Sequence, residues 1–331
     1  MLDNQIKSQL DELVQLYILM NKKYRWRAND LTVRFGSFLF CLKDKPFDET
    51  NFEEVIMYIK NNTGVFSTHR SKSFALAPLL ITSFDDAKHA FDHLLDYEKL
   101  MRDTGFKKSP YLTIAAYALM LTCPPKQVPQ RIAKAYDIYK RMKGNHYWLT
   151  SADDYPVAIL LADMKDDLGQ IESEMERCYH QLNEVGFKKS NGLQFLSHLL
   201  TFNPAPAESK AILCQEIVDY LKQRKLGISA TYYGAIGFLA LLGNDAKKAL
   251  PEVVTAVNYL KKQQGFKWFN KELNILITAS LVCNKYLEDK KHRQMMATTM
   301  GISIETMVAA QTAALIAATS AAAATAAASS N

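Results

Sequence analysis

The pentapeptide GFKKS occurs twice, at Gly105–Ser109 and again at Gly186–Ser190, 81 residues apart, and half of that interval recurs along the chain. Gly64, Gly105, Gly144, Gly186, Gly227 and Gly265 follow one another at spacings of 41, 39, 42, 41 and 38 residues. Self-similarity at about 40 residues marks stacked units that cannot bury their apolar faces alone. GVFST, GFKKS, GISAT and GFKWFN open units in the same way, and a weaker copy opens near Arg25 with RWRAND. The repeats therefore run from about residue 23 to about residue 296.

Each unit reads as two helices. The second has one apolar stripe: Val128, Ile132, Ala135, Tyr136, Tyr139 and Met142 share a face, while Lys134, Asp137, Lys140 and Arg141 take the wet side. The first is apolar nearly all round, as in Tyr111 to Leu121, Pro156 to Ala162 and Tyr232 to Leu242. Such helices are covered on several sides and form an inner layer, with the striped helices outside. The glycines sit where a left-handed helix C-terminal residue belongs, and Ser109, Thr150, Ser190, Ser229 and Asn270 follow as N-caps. Thr50 with Glu53 and Ser83 with Asp86 have capping-box spacing. Strand signals are nearly absent.

The expected fold is all-α: about six to seven tandem two-helix units of about 40 residues, forming an α-solenoid or, at higher curvature, an α/α toroid. An amphipathic helix covers residues 1–22, the repeat domain 23–296, and an alanine-rich helix or tail 297–331. That tail is poor in bulky apolar groups and Glu305 and Gln311 interrupt it, so no membrane span is expected. The first residues, MLDNQIKSQLDEL, carry acids where a secretory signal has its basic region, which points to a cytoplasmic protein.

Composition narrows the chemistry. A 48% hydrophobic chain with 40 Lys and Arg against 34 Asp and Glu can bury a large core, and its charge falls short of a dedicated nucleic-acid binder. The five cysteines form no CxxC pair, so neither a disulfide framework nor a zinc site is expected, and no cofactor is implied. Cys41, Cys123 and Cys283 hold the same place in their units, as small buried hydrophobes. His89 and His93 stand four apart on one helix, a spacing that suits a metal, but no third ligand accompanies them.

The loops opening the inner helices carry Arg70, Lys72, Lys107, Lys108, Lys188, Lys189 and Lys267. In a stack these line one end, as a basic ridge that suits polyanions or as lysines that merely solubilise loops. The third full unit differs. Its loop reads GNHYWLTSADDYP, and from Asn145 to Val185 two basic and nine acidic residues leave a net charge of −7, whereas Gly105 to Gly144 holds eight basic and one acidic, a net of +7. His146, Asp153 and Asp154 can be read as an acid/base cluster at the mouth of a toroid. Thr150 with Asp153 and Ser151 with Asp154 also have capping-box spacing, which accounts for the carboxylates structurally.

The GF openers, the HYWLTSADDYP loop running into VAILLADM, and the alanine-rich end resemble an uncharacterised bacterial family defined only as a domain of unknown function. That resemblance covers most of the chain and implies no activity, cofactor or catalytic residue. The residues alone favour a non-catalytic binding or scaffold protein with a protein or peptide partner. A toroid enzyme of hydrolase type at His146 to Asp154, and weak polyanion binding on the basic loops, are the alternatives.

Overall fold

The computed structural model describes residues 2–267 and 269–291, and these are helical with short connections and no strand. The expected alanine-rich segment 297–331 lies outside the described residues. One set of helices is amphipathic: α1 (Asn4–Tyr24), α3 (Glu49–Asn61), α6 (Ala87–Thr104), α8 (Val128–Asn145), α10 (Leu168–Glu184), α12 (Ala207–Gln223) and α14 (Ala246–Leu260). Between them come a short α4 (Thr68–Ser71) leading into α5 (Ser73–Ser83), and α2 (Asp30–Leu42), α7 (Pro110–Thr122), α9 (Tyr155–Leu161), α11 (Asn191–Leu200), α13 (Tyr233–Leu241) and α15 (Lys271–Lys291). Apart from α4, the described parts of this second set are mostly buried. Every residue from Thr32 to Leu42 and from Tyr155 to Leu161 is buried, because a helix without a polar face has none to offer water.

Several starts and stops are set by residues other than those the sequence spacing selects. Asp48 and Asp86 cap α3 and α6, accepting from the backbone N–H groups two and three residues on, whereas Thr50 already lies inside α3. Acidic and hydroxyl side chains compete for the same orphan donors, and the carboxylate placed just outside the first turn takes them. Ser109, Ser190 and Asn270 cap as expected, accepting from Leu112, Leu193 and Leu273 N–H. Thr150 instead donates back to the Met142 carbonyl, and Ser151 holds the cap position. Gly105 and Gly265 take positive φ of 128° and 86°, while Gly144 is still helical and Lys225, at φ 61°, takes the left-handed place near Gly227.

Neighbouring amphipathic helices touch in succession from α3 to α14, and α1 touches α14. The apolar helices pair α2 with α5, α7 with α9, α11 with α13 and α13 with α15, and α15 in turn touches α2. Buried polar links fasten these neighbours. Lys210 on α12 is fully buried and donates to Glu174 Oε1 of α10 at 2.5 Å and to the Leu200 and Asn203 carbonyls at 3.0 Å each. His69 Nε2 lies 2.8 Å from Glu98 Oε1, which also accepts from Thr113 at 2.6 Å. Arg34 stacks between Tyr17 and Phe269, 4.0 and 3.9 Å from their ring centres, and reaches Asp30 at 2.6 Å. Its Nη2 also donates to the Tyr17 hydroxyl at 2.7 Å, while the buried Nη1 has no hydrogen-bond partner among the described residues.

Candidate functional site

Seven lead-in segments, 25–29, 62–67, 105–109, 146–151, 185–190, 224–229 and 261–270, connect an amphipathic helix to the next buried one. They and the helix starts that follow touch in turn. Phe35 shares a small void of ≈ 40 Å³ with His69 and Pro110, and Thr113 Oγ1 lies 3.4 Å from His69 Nε2. Lys107 N–H donates to the Tyr155 hydroxyl at 3.2 Å, and Gln194 Nε2 donates to Thr150 Oγ1 at 2.7 Å. Asn270 Nδ2 donates to the Tyr232 hydroxyl at 2.9 Å, and Phe269 carries Arg34. Gly192 closes the remaining step. A Cβ there would fall 2.0 Å from the Ala230 carbonyl oxygen, so only glycine permits this approach.

Between four of these helix starts, those of α7, α9, α11 and α13, there is a cavity of ≈ 390 Å³. Asp153 and Asp154 enter from a single 3-10 turn before α9, and Tyr111 from α7. Ser190, Asn191, Gln194 and Phe195 come from the start of α11, and Thr231 from the turn before α13. No Lys or Arg lines it. Burial, reinforced by the charge of Asp154, pushes the Asp153 carboxyl above the usual carboxylate range. Burial and the Asp153 charge likewise push the Tyr111 hydroxyl up.

Both carboxylates also meet Ser151: its hydroxyl donates to Asp153 Oδ1, and its N–H donates to Asp154 Oδ2 at 3.1 Å. Two buried polar atoms beside them are unmatched among the described residues. Gln194 is 1% exposed and its Oε1 has no hydrogen-bond partner. His198, 2% exposed, holds Nδ1 3.4 Å from Asp154 Oδ1, near enough for attraction but without hydrogen-bond geometry. Unsatisfied buried acceptors and donors are rare, and two in one place call for an explanation.

The other sequence candidates lie elsewhere. His146 does not line the cavity; its Nε2 is 3.1 Å from both Glu176 carboxylate oxygens and its ring packs on Tyr179. The imidazole beside Asp154 is His198, embedded in the apolar run LSHLL, where it reads as core. Gln194 carried a better signal, an amide at a fully buried position of an apolar helix. His89 and His93 face each other in the open on α6 with Nε2 atoms 2.9 Å apart, and no group of three or more metal-binding side chains occurs among the described residues. Lys107, Lys108, Lys188, Lys189 and Lys267 are exposed, whereas Arg70 turns back onto the Lys60 carbonyl. The opposed charge blocks meet across neighbours, Arg131 with Asp163 and Arg141 with Glu172. All five cysteines are buried free thiols, and burial pushes Cys178 up to about 12.

A helical protein with a polar, carboxylate-bearing cavity between four neighbouring helix starts is the class these features define. The chain belongs to the family described as protein of unknown function (DUF4003), whose model matches residues 16–313. It is 28% identical over 320 residues to the uncharacterised protein YeaA of Bacillus subtilis (strain 168), covering 95% of this chain and 94% of that one. No solved structure matches it. Among the described residues, no helix is long and apolar enough to cross a membrane.

Proposed function

We propose that the helix pairs close into an α/α toroid with the buried helices inside, and that the toroid binds a small hydrogen-bond-donating molecule in the cavity beside Asp153 and Asp154. Closure draws support from contacts between elements far apart in sequence: Asn284 Nδ2 donates to the Leu42 carbonyl at 3.4 Å, and Lys285 Nζ lies 3.0 Å from Asp3 Oδ2. The single observation that carries the binding reading is Gln194 Oε1, an acceptor buried at the cavity with nothing to accept from. With two carboxylates, an amide carbonyl and no cation around it, the cavity complements a ligand rich in N–H or O–H donors. Tyr111 and Phe195 offer it apolar faces.

A second reading, a hydrolase of acid/base type, rests on the raised Asp153 carboxyl beside Asp154, since one proton held between two environments is what such chemistry uses. Binding ranks first because Ser151 engages both carboxylates as a helix cap would, and His146 pairs with Glu176 instead. The test is thermal denaturation of the full chain with putrescine, glycerol, glucose and inositol as probes. A saturable rise in melting temperature with one of them, abolished by Thr231→Trp at the exposed rim of the cavity, is the expected result. If no probe stabilises the protein, the binding reading falls. Turnover in a hydrolase screen that disappears in folded Asp153→Asn promotes the second reading.

A further inference from the structure

We propose that the end of the molecule formed by the lead-in segments docks on an anionic lipid bilayer. Those seven segments contain eleven Lys or Arg and not one Asp or Glu. The connections at the other ends of the buried helices, 43–48, 84–86, 123–127, 162–167, 201–206 and 242–245, contain four Lys or Arg and eight Asp or Glu. The molecule is therefore electrically polar along one direction, basic at the end where the cavity lies. A uniform field of this sign orients the protein toward a negative surface before contact.

Charge alone would suit any polyanion, and a second feature selects the bilayer. The five most exposed large apolar side chains of the described residues are Phe66 at 98%, Trp148 at 92%, Trp26 at 84%, Val65 at 76% and Tyr147 at 61%, and all five stand in lead-in segments. Every other exposed large hydrophobic is at 54% or below and sits on a helix flank. Holding tryptophan and phenylalanine in water is unfavourable unless something covers them. A soluble polyanion such as heparin offers them no apolar medium. The headgroup boundary of a bilayer does, and it is where amphipathic aromatic rings settle. Three basic segments, 185–190, 224–229 and 261–270, lie beyond the aromatic ones, so the face combines an inserting half with an adhering half.

The experiment is co-sedimentation of the full chain with vesicles of phosphatidylcholine alone and of phosphatidylcholine mixed with phosphatidylglycerol, together with tryptophan emission and heparin retention. The expected results are sedimentation with the anionic vesicles only, weakening as salt rises, and a blue shift of emission on binding. Replacing Trp26, Phe66 and Trp148 together with alanine should reduce vesicle affinity about tenfold or more, leaving the melting temperature and heparin retention unchanged. Changing Lys107, Lys108, Lys188 and Lys189 to alanine should weaken both interactions. Retention on heparin without vesicle binding would make the face a site for soluble polyanions and overturn the proposal. So would vesicle binding that the aromatic variant leaves intact, or no binding to either.

Discussion

Asp153 carries a carboxyl whose affinity for a proton is raised by folding, and that fixes the sign of its contribution to stability. A group with a raised folded pKa stabilises the fold while protonated, below its ordinary value of 3.8, and loses that contribution as pH rises through the raised value. Asp153→Asn, which cannot ionise, should therefore melt at or above the wild-type temperature at neutral pH, with the advantage fading in acid. Thermal melts across pH measure it, and a lower melting temperature for Asn at neutral pH would contradict it. Asp154→Ala behaves differently, because it removes the carboxylate that accepts the Ser151 N–H, and should cost about 0.5–2 kcal/mol. The Ser151 to Asp154 spacing was legible in the sequence as a cap. The neighbourhood of Asp154 was not, since His198 and Gln194 arrive from α11, and nothing in LQFLSHLL says which turn of another helix it will face.

At the scale of elements, period and polarity carried the most information. A stripe at helical spacing and a run apolar on every side are local properties, and each produced a helix of the expected kind in α8 and α7. Exact starts were less legible, because several capping side chains crowd each one and the three-dimensional exit of the chain decides among them, as Asp48 does over Thr50. Two predictions belong here. Gly192→Ala would drive a methyl against the Ala230 carbonyl and should cost about 1–3 kcal/mol, displacing the start of α11 from the turn before α13 and thereby deforming the cavity. Urea denaturation reports the cost. Lys210→Met should be more damaging, about 3–5 kcal/mol, because Glu174 and two carbonyls lose their shared donor. A loss under 1 kcal/mol in urea would show that α10 and α12 do not depend on this link.

For the whole molecule, the period of about 40 residues announces stacking but is silent on curvature, which accumulates from small rotations at each helix pair. Whether the first and last helices meet is decided by contacts such as Tyr259 with Asp11, 248 residues apart, which no local pattern encodes. In the proposed closed toroid the lead-in segments share one end face, and the proposed membrane docking depends on how the chain's ends are arranged, whereas the cavity is built by the central starts of α7, α9, α11 and α13 alone. Lys285 offers the most direct measurement, because its ammonium lies 2.9 Å from Glu252 on the adjoining helix and 3.0 Å from Asp3 at the far end of the sequence. Carbodiimide treatment of the full chain, followed by peptide mass spectrometry of the monomer, reads both pairs at once. A closed toroid yields both isopeptide bonds across the sample, Lys285 to Glu252 in some molecules and Lys285 to Asp3 in others. An open solenoid yields the first alone, and that result would contradict closure.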